Sequence, residues 1–230
     1  MAFAEIGAGI GYGGVVLDIE HGSFDLGSLE RFIPVLKGLG LDVTAKVLGP
    51  ERGPIQQALD FGADAVCIPH ILNAEHARQI CAFAKFPLKG LRSFAGGRTT
   101  KYGAPTDPWV AEQDDITRCY PMIEDAGALE EVEKILALDT VDGVFVGPTD
   151  LSLLRGRGIL KRNDADWADL KRIADAANKA GKHWILPAWS ESEKKFALEH
   201  NASQMALIME HGAIATGLQA AWDLTQKMLE

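Results

Sequence analysis

The chain has 230 residues, 47% of them hydrophobic, and a formal net charge of −9. That length suits one α/β-barrel domain or two small domains, and the acidic balance argues against nucleic acid, whose binders present basic surfaces. No apolar run approaches the roughly 20 residues that span a bilayer, the N-terminus lacks a secretion-signal layout, and Cys67, Cys81 and Cys119 suit neither a disulfide framework nor a zinc knuckle.

Met1–Gly14 reads as a short helix, with Phe3, Ile6 and Ile10 at roughly helical spacing, running into a Gly-rich turn. Gly14–Ile19 is a β-branched apolar run and therefore a strand, followed by Glu20-His21-Gly22. Phe24–Gly40 carries a helical stripe of Leu26, Leu29, Phe32, Ile33, Leu36 and Leu39, interrupted by Pro34. Leu41–Leu48 is the next strand, and Ile55–Phe61 a helix ending at Gly62. Asp64–Pro69 is again a strand, and Asn73–Lys85 a helix with Asn73 as its N-cap. Phe86–Asp115 breaks this rhythm. It holds four Gly, three Pro and the basic residues Lys89, Arg92, Arg98 and Lys101, with a short helix at Trp109–Asp115. Connections of this length inside a domain usually carry function.

The centre of the chain is Cys119–Glu124 and Val141–Ser152, two apolar runs that each end in a carboxylate, with a helix at Leu129–Ala137 between them. A parallel crossover puts Glu124 and Asp150 at the same end of one sheet. Two such acids form an oxygen-rich seat for Mg²⁺ or Mn²⁺. Asp150 capping the following helix is an equally good reading of that residue alone. Leu153–Lys161 is loop, Trp167–Ala180 a helix capped by Gly181, and His183–Pro187 a strand. Ser190–His200 is a helix, Gln204–Met209 a strand and Ala213–Leu229 a closing helix.

Strands alternating with helices give a parallel sheet wrapped by helices, here with seven strands where a (β/α)8 TIM barrel has eight. The opening helix suggests that the first strand is lost or trimmed from a single barrel spanning residues 1–230. A doubly wound sheet is the competing fold. It is disfavoured because GAGIGYGG at 7–14 precedes the first strand, the wrong order for dinucleotide binding. In a barrel the functional residues gather at the C-terminal strand ends. Asp18, Glu20, His21, Lys46, His70, Glu124 and Asp150 all fall there. Each has a plainer reading. His21 serves as well as a turn residue, His70 is better explained as a satisfied loop histidine, and strand alternation leaves the face of Lys46 open. Arg92, Arg98 and Lys101 read first as a solvated loop.

LDIEHG (17–22), LDFGADAVCIPHILNAEHA (59–77), GLRSFAGGR (90–98), IE (123–124) and VDGVFVGPTDLS (141–152) together resemble the HpcH/HpaI aldolase family, in order from about residue 4 to about 158. These are metal-dependent (class II) pyruvate aldolases related to macrophomate synthase and the citrate lyase β-type lyases. The resemblance implies a (β/α)8 barrel in a homo-oligomer, commonly a hexamer; the scattered cysteines read as those of a reduced cytoplasm. The same resemblance implies a divalent metal (Mg²⁺, Mn²⁺ or Co²⁺) on Glu124 and Asp150, His21 as base, and Asp18 orienting it. The backbone N–H groups of Thr149 and Asp150 would hold the substrate carboxylate. Lys46 stands where the family has an arginine that binds the keto and enolate oxygens, so the charge survives and the rigid fork is lost. Met122 replaces a common glutamine. The closing ALIMEHG also departs from the family's ending.

The implied reaction joins or cleaves a C–C bond in a 4-hydroxy-2-keto acid through a pyruvate enolate, giving pyruvate and an aldehyde. Arg92 and Arg98 are candidates for the far end of an acidic substrate. Three alternatives share the site: decarboxylation of oxaloacetate, a Schiff base on Lys46, and a non-catalytic 2-keto acid-binding barrel.

Overall fold

Every one of the seven apolar runs forms a strand in the computed structural model, which describes residues 1–106 and 108–229. The strands are β1 (Gly14–Asp18), β2 (Asp42–Lys46), β3 (Ala65–Ile68), β4 (Arg118–Ile123), β5 (Gly143–Val146), β6 (His183–Pro187) and β7 (Gln204–Ala206). They pair in sequence order, all parallel, into one seven-stranded sheet. The sheet curls into a nearly closed (β/α) barrel, with β1 and β7 as its two free edges.

The covering helices lie close to the expected positions. They are α1 (Ala2–Ile10), α2 (Leu26–Gly38), α3 (Arg52–Asp60), α4 (Ala74–Cys81), α5 (Trp109–Ile116), α6 (Ala126–Glu130), α7 (Val132–Leu136), α8 (Pro148–Leu154), α9 (Asp164–Ala180), α10 (Glu191–Glu199) and α11 (Glu210–Leu229). Local chemistry sets several of their ends. Asn73 accepts the His76 N–H at 2.9 Å and starts α4. Gly181, at φ 64°, closes α9 in the left-handed conformation that favours glycine. The single helix expected over Leu129–Ala137 is two short ones, broken at Glu131. The short helix α8 also extends into the stretch read as loop from Leu153.

Side-chain alternation divides the core in two. Odd-even parity sends Val43, Ala45, Val66, Ile68, Cys119, Ile123, Val144, Val146, Trp184 and Leu186 outward against the helices, where they are buried. The opposite parity sends Val16, Ala65, Cys67, Tyr120, Met122, Phe145 and Ile185 into the barrel interior as a second packed cluster. Full burial of one such Val, Leu, Ile or Phe stabilises by about 1.5–3 kcal/mol. Interior packing therefore fixes which face the next inward residue on each strand presents. The layer above this cluster, at the C-terminal strand ends, is the site. No helix among the described residues is long and apolar enough to cross a membrane.

Candidate active site

Inward parity continues past the strand ends and delivers the site's side chains. On β1 it runs Val16, Asp18, Glu20; on β2, Thr44 then Lys46; on β4, Tyr120, Met122, Glu124; on β5, Phe145 then Gly147. Register then levels them. Asp18 pairs with Lys46 and Lys46 with Cys67. Ile123 pairs with Val146, and the Gly147 N–H donates to the Ile123 carbonyl at 3.1 Å. Lys46 therefore faces inward and not solvent.

A chain of polar contacts links these groups. Lys46 Nζ lies 2.8 Å from Glu20 Oε2 and 3.4 Å from Asp18 Oδ2. The other Glu20 oxygen, Oε1, is 2.6 Å from His70 Nε2. The His70 backbone N–H donates to Glu124 Oε1 at 2.6 Å, and His70 Nδ1 lies 3.6 Å from the same oxygen. Glu124 is buried and Glu20 nearly so, while the His21 and His70 imidazoles are open to solvent.

Burial drives the charges. It pushes the Glu124 carboxyl above its ordinary value, only partly offset by the His70 backbone hydrogen bond and the His70 charge; the negative charges of Asp150 and Glu20 push it further up. Burial alone would lower Lys46. The Glu20 hydrogen bond and the charges of Asp18 and Glu20 outweigh it and hold the ammonium above the ordinary lysine value. Lys46 is thus a fixed cation and a poor nucleophile, which disfavours the Schiff-base alternative.

Two glycines are required by close approach. A Cβ on Gly147 would fall 2.7 Å from both Cβ and Oε2 of Glu124, so only glycine leaves room for that carboxylate. A Cβ on Gly22 would fall 2.1 Å from the Asp18 carbonyl oxygen, which fixes the tight turn that carries Glu20 and His21 back over the strand end.

The donor set fits a divalent cation of the Mg²⁺ or Mn²⁺ kind. Among the described residues no three His, Cys, Asp or Glu side chains converge as a complete protein cage. A hard cation that keeps waters and substrate oxygens uses one or two carboxylates. Glu124 and the exposed Asp150, in the first turn of α8, are carboxylates of that kind, and a cation would relieve the negative charge around the buried Glu124. Gly147 caps α8 without a side-chain acceptor, and the N–H groups of Thr149 and Asp150 have no intrahelical acceptor in that first turn.

Several readings from the sequence change. Asp18 holds His21 through its backbone N–H, at 3.0 Å, and not through the imidazole. The acid beside that ring is Glu20, with Oε2 3.5 Å from Nε2. His70, in the loop after β3, has partners for both its ring and its backbone N–H and so links Glu20 to Glu124. Arg92 is buried, paired with Asp60 at 2.8 Å and stacked over Phe86. Arg98 donates to the Glu30 carbonyl. Their stretch joins a helix to the following strand, so it lies toward the barrel end opposite the site, and neither is placed to hold a substrate's far end. Lys89, Arg92 and Arg98 bind the protein's own acids and carbonyls instead.

The family model described as HpcH/HpaI aldolase/citrate lyase matches residues 1–204. The chain belongs to that family of aldolases and lyases. It is 32% identical to a hydroxypyruvate/pyruvate aldolase of Roseovarius nubinhibens over 186 residues, covering 77% of this chain and 71% of the relative. Over 198 residues it is 30% identical to a 2-keto-3-deoxy-L-rhamnonate aldolase of Klebsiella pneumoniae, covering 82% and 72% respectively. Among solved structures, the HpcH/HpaI aldolase from Desulfitobacterium hafniense superposes with a TM-score of 0.89 at 25% identity, covering 97% of this chain and 87% of that one. The protein is therefore an enzyme of C–C bond cleavage or formation, of the pyruvate aldolase type.

Proposed function

We propose that this protein is a divalent-metal-dependent aldolase that cleaves or forms 4-hydroxy-2-keto acids, with pyruvate as the common product and an aldehyde as the other. The observation that carries this reading is Glu124, a buried carboxylate seated against Gly147, where an added Cβ would fall 2.7 Å from it, with Asp150 on the next strand-to-helix turn. These two residues would hold the metal, and Mg²⁺, Mn²⁺ and Co²⁺ are the candidates. When bound, the metal supplies Lewis-acid polarisation of a keto oxygen. The remaining roles fall to the chain itself.

Lys46, kept cationic by Glu20 and Asp18, offsets negative charge developing on the substrate. The first-turn N–H groups of Thr149 and Asp150 bind the substrate carboxylate. His21, exposed at the mouth with Glu20 beside its ring and Asp18 fixing its backbone, accepts the C4 hydroxyl proton as the C–C bond breaks. In the synthetic direction it returns that proton to the new alkoxide. The buried, unpaired thiols Cys67, Cys81 and Cys119 suit a reducing cytoplasm.

Assembly into a homo-oligomer is part of the same proposal. Its support is α11, which has no buried residue and exposes Ile214, Leu218 and Trp222 four residues apart on one stripe. Sedimentation of Leu218→Asp and Trp222→Glu tests it; a parental chain that sediments as a monomer refutes it. The activity is tested by following pyruvate release from a panel of 4-hydroxy-2-keto acids, with and without added metal. Release that persists undiminished after chelation refutes the metal mechanism. Trapping of pyruvate by borohydride would move the chemistry to Lys46.

A further inference from the structure

The roles above leave one side chain of the site without a task. His70 sits two residues beyond β3 at φ 59°, a left-handed conformation that a residue bearing a Cβ adopts at a cost and that collects at functional sites. The conformation lets one residue make two different connections. Its backbone N–H reaches Glu124 Oε1 at 2.6 Å, and its imidazole lies across the mouth with Nε2 2.6 Å from Glu20 Oε1. The second Glu20 oxygen is already committed to Lys46 at 2.8 Å. Glu20, its side chain 9% exposed, is thus shared between charged contacts on its two oxygens: Lys46 and the more distant His21 on Oε2, and His70 on Oε1.

We infer that His70 is a positioning residue: its imidazole anchors Glu20 so that the Lys46 ammonium is not drawn wholly onto that carboxylate and stays available to an anionic ligand. The backbone amide of the same residue holds Glu124 at 2.6 Å, closer than the ring, whose Nδ1 lies 3.6 Å from the same oxygen. The inference rests on the metal reading above. Without the imidazole, one oxygen of a carboxylate that is only 9% exposed loses its partner. Burying such an oxygen unpaired is costly, so Glu20 turns to the ammonium already beside it, Lys46. The ligand then meets a neutralised pair in place of a cation.

The test is calorimetric titration of Mn²⁺, and then of oxalate as a planar stand-in for the enolate. It compares the parental chain with His70→Asn, His70→Gly, Glu20→Gln and the His70→Asn/Glu20→Gln double variant. Asparagine and glycine both accept the left-handed backbone, so the amide contact to Glu124 survives even where one of the two variants folds poorly. The expected result is oxalate affinity about tenfold weaker in both His70 variants, the loss of one close polar contact to a charged group. Mn²⁺ affinity should stay within about threefold, since the amide contact remains. The double variant should bind oxalate no more weakly than the weaker single variant, because both substitutions act through one contact. Unchanged oxalate affinity, losses that add in the double variant, or Mn²⁺ affinity falling in parallel with oxalate would each overturn the inference. A parental chain that takes up no Mn²⁺ would overturn the metal reading and this inference with it, an outcome distinct from a parental chain that binds both ligands while its His70 variants do so equally well.

Discussion

Replacing Gly147 by alanine adds one methyl group at the position where the structure has least room. The new Cβ would lie 2.7 Å from Cβ and 2.7 Å from Oε2 of Glu124, and 3.1 Å from Cε of Met122. The methionine end is flexible and can yield, but the Glu124 Cβ is tied to the end of β4. That strand cannot retreat from β5: Met122 pairs with Phe145, Ile123 pairs with Val146, and Gly147 itself is hydrogen-bonded to the Ile123 carbonyl. The carboxylate must therefore swing away from its seat. Overpacking of this kind costs about 1–3 kcal/mol, equivalent to a fall in Tm of about 2–12 °C for a chain of this size. The functional loss should be larger than the structural one. With Glu124 displaced, Mn²⁺ affinity measured by calorimetry should fall by at least about tenfold, and pyruvate release with it. Because Gly147 has an ordinary negative φ of −106°, backbone strain contributes nothing and the effect is purely steric. A Gly147→Ala chain that binds Mn²⁺ and turns over like the parent would refute the assignment of Glu124 to the metal seat.

Further outcomes follow from the same geometry. Lys46→Met removes the inward cation and should lower kcat/KM by about 10²–10³ without abolishing Mn²⁺ binding; full activity would assign charge stabilisation elsewhere. His21→Ala should lower kcat by about 10²–10⁴, the range of a lost general base, and parental turnover would remove that role. For pH, the Glu124 carboxyl is held above its ordinary value by burial, with Asp150 and Glu20 adding to it. A cation binds the ionised form, so Mn²⁺ affinity should rise with pH and weaken, as pH falls, at a higher pH than an ordinary carboxylate would give. The sign for metal-free stability is the reverse. A raised folded value gives a contribution fully present below the unfolded-chain value and lost as pH rises through the folded one. Thermal unfolding across that window, with and without Mn²⁺, checks both halves; a Glu124→Gln chain should show neither dependence.

The barrel was legible because strands of a parallel sheet are buried on both faces and read as short, nearly continuous apolar runs. Each of the seven, from Gly14–Asp18 to Gln204–Ala206, is such a run between turn residues. Glu124 was placed for a related reason, since a carboxylate directly after a buried run marks a strand end; Asp150 lies four residues past β5, in the first turn of α8. Glu20 was visible beside His21 yet not singled out, because an acid in a turn looks solvated. The signal that finds it is parity, since Val16, Asp18 and Glu20 alternate onto the interior face of one strand. Parity likewise settles Lys46, once the interior cluster shows which face is inward. His70 lay beyond reach, because its role depends on a left-handed backbone that sequence spacing does not report. Arg92 and Arg98 were offered to the substrate on charge alone. Their place between a helix and the next strand already assigns them to the opposite end of the barrel, where Asp60 and the Glu30 carbonyl take them.

The measurement that bears most directly on the central claim is calorimetric titration of Mn²⁺ into the parental chain and into Glu124→Gln and Asp150→Asn, with pyruvate release followed on the same samples. The account predicts one ion per parental chain, metal-dependent pyruvate release, and neither binding nor release in the two variants, all three folding alike. Binding by either variant equal to the parent, or pyruvate release from the parent that survives complete removal of metal, would contradict it.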